Sequence, residues 1–303
     1  MFRSAICRVL SIPEVVLADI QNEFLRFDFR GDGHIEVHEC YRLVRHCMHR
    51  QLERGKAVPQ DQALRYNSLD TAGYKVIVEL PSGRLGRVVL AASHNDTRRA
   101  VQIVDRKLVD SVWLEDRQDD LAVLQEAPGG GCFARVHELF HDDFSVYIVQ
   151  DPCYGGDIHS LVDQSSKGFE PPTERVWCRI FRQCMLGLQH LHGNALVHAD
   201  IREATILVVT SGDEVVSAVL ADIGLVFPKV SVGGPFGTPG YIPPETWQTG
   251  LWYPKGDCFS LGVVMFQAML LQGRGLFTSG ACCYQEIYAI TCTRELPAAQ
   301  LDP

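Results

Sequence analysis

The stretch Val197-His198-Ala199-Asp200-Ile201-Arg202-Glu203-Ala204-Thr205 decides the fold of this chain, and Asp222-Ile223-Gly224 follows seventeen residues after it. His198 and Asp200 are a polar pair inside an apolar run, with Leu191, Leu196 and Val197 before them and Ile206 to Val209 after. Alone, a His-x-Asp describes a loop bonded to its own backbone. The order of its surroundings carries more information. Ile206 to Thr210 reads as a strand, Ser211-Gly212-Asp213 as a turn, and a second apolar run ends at Asp222. Gly237-Thr238-Pro239-Gly240-Tyr241-Ile242-Pro243-Pro244-Glu245 comes next, then Asp257-Cys258-Phe259-Ser260-Leu261-Gly262. Upstream, Val176, Ile180, Phe181, Cys184, Leu186, Leu188 and Leu191 fall at helical spacing and predict a helix packed into a large core.

The 303 residues allow two domains with ample core. A hydrophobic fraction of 46% and a charged fraction of 21% describe an ordinary globular protein. The net charge of −9 argues against nucleic acid as the main partner. Eleven cysteines without a Cys-x-x-Cys spacing suit reduced thiols, hence a cytoplasmic location. Pro13 and Glu14 break the first eighteen residues, so no signal peptide is expected, and Phe2 excludes a myristoylation signal. The apolar run Leu261 to Leu271, interrupted by Gln267, is too short to span a bilayer.

Residues 13 to 27 predict an amphipathic helix through Val16, Ile20, Phe24 and Phe27, and a second pattern follows through Tyr41, Leu43, Val44 and Met48. Between them, Asp28, Asp32, Glu36 and Glu39 stand at loop positions 1, 5, 9 and 12, with Gly33 at 6, His34 at 7 and Ile35 at 8. A hard cation needs such a ring of oxygens, a glycine for the sharp turn and a closing carboxylate. The stretch resembles an EF-hand; a helix–turn–helix with a solvated acidic loop is the simpler alternative. As an EF-hand it implies Ca²⁺ on Asp28, Asp32, His34, Glu36 and Glu39. Arg30 at position 3 removes an oxygen and repels the ion, so affinity is expected near the ~10⁻⁴ M end of the range. EF-hands usually pair, so a degenerate partner in residues 1 to 12, or one from another chain, is implied.

Residues 50 to 68 are polar, contain Pro59 and read as a linker. Tyr74 to Leu80 alternates like a strand and leads through Pro81-Ser82-Gly83-Arg84-Leu85-Gly86 into Arg87 to Ala91, a β-hairpin on its own terms. Arg99 to Asp105 and Phe144 to Gln150 read as further strands, the latter buried.

In this order the signals resemble the protein kinase superfamily, and with the acidic loop they resemble the calcium-dependent serine/threonine kinases. The usual layout of that group places EF-hands after the kinase domain; here one precedes it. The resemblance implies an α+β, bilobal fold: a β-rich small lobe over 74–150 and a helical, C-terminally short large lobe over 151–303. A helical EF-hand module over 1–52 and a linker over 53–73 precede it.

The same resemblance assigns roles. Asp200 is the catalytic aspartate, and Arg202 stands where a lysine usually faces the transferred phosphate. Asp222 is the main Mg²⁺ ligand, and Thr205 replaces the asparagine that holds the second ion. Gly83, Gly86 and Val88 belong to the phosphate lid, with Pro81 for its first glycine. Ala100, Asp151, Cys153, Asp157 and Leu207 surround the nucleotide, Asp151 to Asp157 forming the hinge and Gln150 the gatekeeper. Gln102 occupies the position of the phosphate-binding lysine, and Asp120 that of its glutamate partner. Ala199 replaces the arginine that reads a phosphorylated activation loop, which weakens control through Ser231. Asp257 matches the buried brace of the catalytic loop. ATP, Mg²⁺ and weakly held Ca²⁺ are the implied cofactors, and a protein substrate or scaffold partner the implied company. An amide brings no positive charge, so the expected function is impaired phosphotransfer to Ser or Thr. The alternatives are a dead pseudokinase serving as a calcium-responsive scaffold, or a calcium sensor with a vestigial lobe.

Overall fold

A computed structural model describes residues 4, 7–8, 20, 24, 27–28, 32–55, 65–80, 86–108, 131–166, 170–212, 214–222, 237–270 and 275–294. Its elements are α1 (Val37–Gly55), β1 (Arg65–Tyr66), β2 (Lys75–Leu80), β3 (Arg87–Ala92), β4 (Arg98–Asp105), β5 (Val136–His141) and β6 (Ser145–Gln150). They continue as α2 (Ile158–Ser166), α3 (Glu174–Gly193), β7 (Ile206–Ser211), β8 (Glu214–Leu220), α4 (Pro244–Thr249), α5 (Pro254–Leu270) and α6 (Tyr284–Thr293).

The small lobe is a six-stranded sheet in the order β1-β5-β6-β4-β3-β2. Val89, Ala91, Val101, Phe140, Tyr147 and Val149 form its buried face, with Phe140 stacked between Tyr74 and Tyr147. Branched and aromatic residues at period 2 make such a half-buried surface. β2 departs from the expected alternation: it is an edge strand exposed from Lys75 to Glu79. β6 is buried along its length, but Phe144, expected as its first residue, is exposed at the preceding turn.

The large lobe wraps α3 and α5 around the antiparallel β7–β8 pair. Trp177, Ile180, Phe181, Cys184, Leu188 and Leu191 of α3 face that core, as their spacing requires. Leu186, counted with that stripe from the sequence, is instead turned outward. Gly187 takes the inward place: a Cβ there would stand 3.0 Å from Leu220. α5 begins at Pro254, ahead of the apolar run that starts at Leu261, and so carries Asp257 in its first turn.

In the N-terminal part, Ile20, Phe24 and Phe27 are helical and pack with Leu43, Val44 and Cys47 of α1. α1 runs three residues past the expected module boundary at 52. The expected linker contributes β1, which pairs in parallel with β5. No described helix is long and apolar enough to cross a membrane, and all eleven cysteines are free thiols.

Candidate functional site

The loop 197–205, expected to be catalytic, is held by one carboxylate. Asp257 is 0% exposed. Its Oδ2 accepts the His198 N–H at 2.8 Å, and its Oδ1 accepts the Ala199 N–H at 2.9 Å and the Trp252 indole N–H at 2.9 Å. His192 Nε2 lies 2.9 Å from Oδ2. Two backbone N–H groups of the loop are thus satisfied inside the protein, which permits it to be buried. Ala199 adopts a left-handed φ of 64°, a conformation that costs a residue with a Cβ and persists only where the surroundings enforce it.

His198 joins this loop to the residue that follows β8. Its Nδ1 accepts from the Asp200 N–H at 3.4 Å, so Nε2 carries the proton it donates to Ala221 O at 2.9 Å. Ala221 N–H in turn donates to Thr205 O at 2.9 Å. The end of β8 is also clamped by residues 132–134: Leu220 N–H to Cys132 O at 2.8 Å and Ala134 N–H to Leu220 O at 3.1 Å. These bonds deliver Asp222, at a left-handed φ of 58°, beside Asp200. Burial pushes the Asp222 carboxyl up from the ordinary carboxylate range; His198 and Arg202 pull it down, while the Asp200 charge raises it. A cation there would relieve both the burial and the repulsion.

Gln102 lies on β4, in register between Val88 and Ile148, and is 1% exposed. Its Nε2 makes no well-formed hydrogen bond, although the amide lies close enough to Asp222 to pull that carboxyl down. Arg202 Nε stands 3.6 Å from Asp200 Oδ2 and also lacks a hydrogen-bond partner. Two buried donors therefore face this acidic corner incompletely satisfied. Such groups are costly unless another oxygen, such as a phosphate's, completes them.

Asp200 itself accepts the Thr238 hydroxyl on Oδ1 at 2.5 Å, so the Gly237–Glu245 stretch rests on the carboxylate expected to be catalytic. Thr205 is fully buried. Its hydroxyl accepts the Arg202 N–H at 3.1 Å and lies within reach of the Asp200 and Arg202 carbonyls at 3.0 and 3.1 Å. That oxygen is committed to the shape of the loop.

The described members of the expected nucleotide set are held in different ways. Ala100 is buried on β4 opposite Gln150. Asp151 N–H donates to Arg135 O at 3.0 Å, and its carboxylate takes His137 at 2.6 Å and Arg99 at 3.2 Å. Burial and the Asp151 charge push the Cys153 thiol up to about 11. Asp157 caps α2 through the Ser160 N–H at 2.7 Å and bridges to Leu207 of β7. Gly86 has a φ of 141°, and a Cβ there would stand 2.1 Å from Ile103 O. This glycine is therefore required by the close approach of the chain entering β3 to the Ile103 carbonyl of neighbouring β4, whatever its part in the lid. Gly83, Asp120, Ile223, Gly224 and Ser231 lie outside the described residues.

One network was not legible beforehand. Glu203, buried in the catalytic loop, accepts the Tyr241 hydroxyl on Oε2 and the Gln267 amide on Oε1 at 2.5 Å. Gln267 Oε1 accepts the Leu276 N–H at 2.6 Å. Burial, then the Glu203 charge, pushes the Tyr241 phenol far up. Gln267 did leave a signal, as the polar break in the apolar run of α5.

In the N-terminal loop, Asp28 accepts the Asp32 N–H at 3.2 Å and the Gly33 N–H at 2.8 Å; Glu39 accepts the Glu36 N–H at 2.7 Å. Gly33 adopts a φ of 79°. Asp28 and Glu39 are buried, while Asp32, His34 and Glu36 are exposed. Among the described residues no three His, Cys, Asp or Glu side chains are gathered closely enough to hold a metal.

Comparison with known proteins fits this geometry. The protein kinase domain family matches residues 74–297. The chain belongs to the protein kinase family. Its relatives include the mouse serine/threonine-protein kinase Nek3, 26% identical over 204 residues, covering 66% of this chain and 38% of that protein. The human serine/threonine-protein kinase DCLK3 is 27% identical over 211 residues, covering 67% and 31%. The human serine/threonine-protein kinase D2 is 26% identical over 231 residues, covering 74% and 26%. The chain thus spans well under half the length of these relatives.

Proposed function

We propose that this chain is a calcium-linked protein kinase-like protein of the serine/threonine class, with slow ATP·Mg-dependent transfer to protein Ser or Thr. Gln102 carries this reading: a neutral, 1% exposed amide beside Asp222 occupies the position expected for the phosphate-binding charge. The donors present fit a phosphate, since Gln102 Nε2 and Arg202 Nε are buried without hydrogen-bond partners, and Asp222 fits a hard cation. When bound, ATP·Mg supplies the phosphoryl group and the charge that neutralises this corner. Asp200 orients the acceptor hydroxyl and takes its proton, Arg202 offers its guanidinium to the transferred oxygens, and Asp257 keeps both on a fixed loop.

Each missing preorganised contact costs about 10²–10³ in rate. Without the lysine charge and the asparagine oxygen, the kinase range of ~1–100 s⁻¹ falls to about 10⁻² s⁻¹ or below. The test is γ-phosphate transfer with Mg²⁺ and with Mn²⁺, wild type against Asp200→Asn. Wild type is expected above the variant, and Gln102→Lys with Thr205→Asn is expected to raise the rate. Equal background in wild type and Asp200→Asn rejects the enzyme reading. It would favour the second one, a pseudokinase that binds nucleotide or partners, which the commitment of the Thr205 hydroxyl to the loop also supports.

What supports the calcium link is the spacing of residues 28–39, the positive φ of Gly33, and the two carboxylates already turned to loop N–H groups. An ion must still draw Asp32 and Glu36 inward, which, with Arg30, accords with weak binding. A thermal shift with Ca²⁺ but not Mg²⁺, abolished by Glu39→Gln, is expected.

A further inference from the structure

The N-terminal helices meet the large lobe at a defined polar contact. Arg42 of α1 donates from Nε to the backbone carbonyl of Asn194 at 2.9 Å, across 152 positions of sequence. The accepting residue sits in the tight turn that ends α3. Asn194 N–H returns to Leu191 O at 3.0 Å, Ala195 N–H to His192 O at 3.1 Å, and Leu196 N–H to Leu191 O at 2.9 Å. The Asn194 side chain donates to His190 O at 2.9 Å. Ala195 has a left-handed φ of 55°, so the turn is strained and relies on its surroundings. Carbonyls at a helix C-terminus need external partners and favour cations, and a guanidinium supplies both.

This turn ends three residues before His198. His192, just before it, reaches Asp257 Oδ2, the same oxygen that holds the His198 N–H. Whatever fixes 193–195 therefore fixes where the catalytic loop begins. The N-terminal part approaches the same brace from a second side. Burial, and after it the Asp28 charge, pushes the Tyr253 phenol up. Tyr253 adjoins Trp252, a donor to Asp257, and carries the Lys255 ammonium 5.7 Å from its ring centroid.

We propose that the N-terminal helical module is a built-in brace of the catalytic loop, docked on the large lobe by Arg42 and holding the turn 193–195. A calcium branch follows, and it rests on the ion-loop reading of residues 28–39. Glu39, the closing carboxylate, and Arg42 lie three residues apart on α1, hence on adjoining turns of one rigid element. In the docked form Asp28 and Glu39 are already held by loop N–H groups. The coupling expected of the two is that an ion taken by the loop favours docking, and docking then favours the ion by the same factor.

Hydrogen exchange read by mass spectrometry on the full chain tests both branches, using wild type, Arg42→Ala and Arg42→Lys, in chelator and in calcium. In chelator, Arg42→Ala is expected to exchange amides 195–202 about tenfold faster than wild type, as loss of a charged hydrogen bond implies. Strands at 87–105 should be unaffected. Arg42→Lys, a point charge without the guanidinium fork, should fall between. Calcium should slow 195–202 in wild type and fail to do so in Arg42→Ala. Unchanged exchange at 195–202 in Arg42→Ala overturns the brace. Acceleration that extends to 87–105 marks general unfolding, and the Arg42→Lys comparison then decides the brace. Calcium protection at 28–39 without protection at 195–202 overturns the coupling. No calcium effect at 28–39 rejects the ion-loop reading alone, since the comparison in chelator still decides the brace.

Discussion

Replacing Asp257 by asparagine tests how the catalytic loop is held, because the geometry limits where the new amide can go. The carboxylate receives two donors on Oδ1, Ala199 N–H and Trp252 Nε1–H, and faces His198 N–H and His192 Nε2 with Oδ2. Asparagine keeps one oxygen. With that oxygen on the Ala199 side, its NH₂ meets the His198 N–H, and only His192 can adapt by presenting a bare nitrogen. With the oxygen on the other side, two donors face the NH₂. The first arrangement is cheaper and still orphans one buried backbone N–H, at about 1–3 kcal/mol, while the remaining bonds lose their charge assistance. A total of about 3–4 kcal/mol follows, a large part of the ~5–15 kcal/mol that holds a domain together. For a domain of this size that lowers Tm by about 6–16 °C. Chemical denaturation and thermal unfolding of wild type, Asp257→Asn and Asp257→Ala measure it. Alanine is expected to cost more, since all four groups lose their acceptor. A loss under about 1 kcal/mol in Asp257→Asn would refute the claim that this carboxylate carries the loop.

Three further outcomes are expected. Cys153, raised from 9.0 to about 11, has about a hundredfold less thiolate at neutral pH than an unperturbed thiol. Mass-resolved alkylation should therefore label it well after the exposed Cys178, Cys282 and Cys292. Gly86→Ala should destabilise the small lobe by more than ~1 kcal/mol, because its Cβ meets the Ile103 carbonyl and its φ is unfavourable for alanine. Comparable unfolding midpoints for the two proteins would contradict this. Tyr74 and Tyr147 are both held near 12, first by burial and then by hydrogen bonds to Glu138 and Asp142. Folding favours their protonated forms, so the stability they lend is complete below about pH 10 and is lost as pH rises toward 12. Ultraviolet titration of phenolate should show late transitions for these two beside the still later Tyr241, and Tyr74→Phe should remove one of them.

Much of the fold was legible in local pattern. The stripe on α3, the β7–β8 pair and the buried run of β6 follow from residues whose spacing matches 3.6 or 2. The edges were less so. Leu186 has the chemistry of the stripe but points away from the core, and β2 alternates in sequence yet lies exposed at the sheet edge. Spacing records which face is apolar and leaves open whether anything covers it. The linker between the N-terminal helices and the sheet hid β1, whose two residues are too few to show a period.

By itself, the sequence determined the family and the chemical identities at each position. Asp200, Asp222 and Asp257 stand in kinase order, and Gln102, Ala199 and Thr205 stand where the resemblance leads one to expect lysine, arginine and asparagine. Only the tertiary structure decided what those groups hold. It ties the Thr205 hydroxyl to its own loop and lays Thr238 on Asp200 from 38 positions away. It turns Asp157 to a helix cap, joins Glu203 to Gln267 across 64 positions, and sets Arg42 on Asn194 across 152. The physical reason is one of range. Apolar burial is a property of a residue and its near neighbours, so periodicity records it. A hydrogen bond needs a donor and an acceptor at about 3 Å with the right angle, and for distant segments that pairing exists only once the chain has folded.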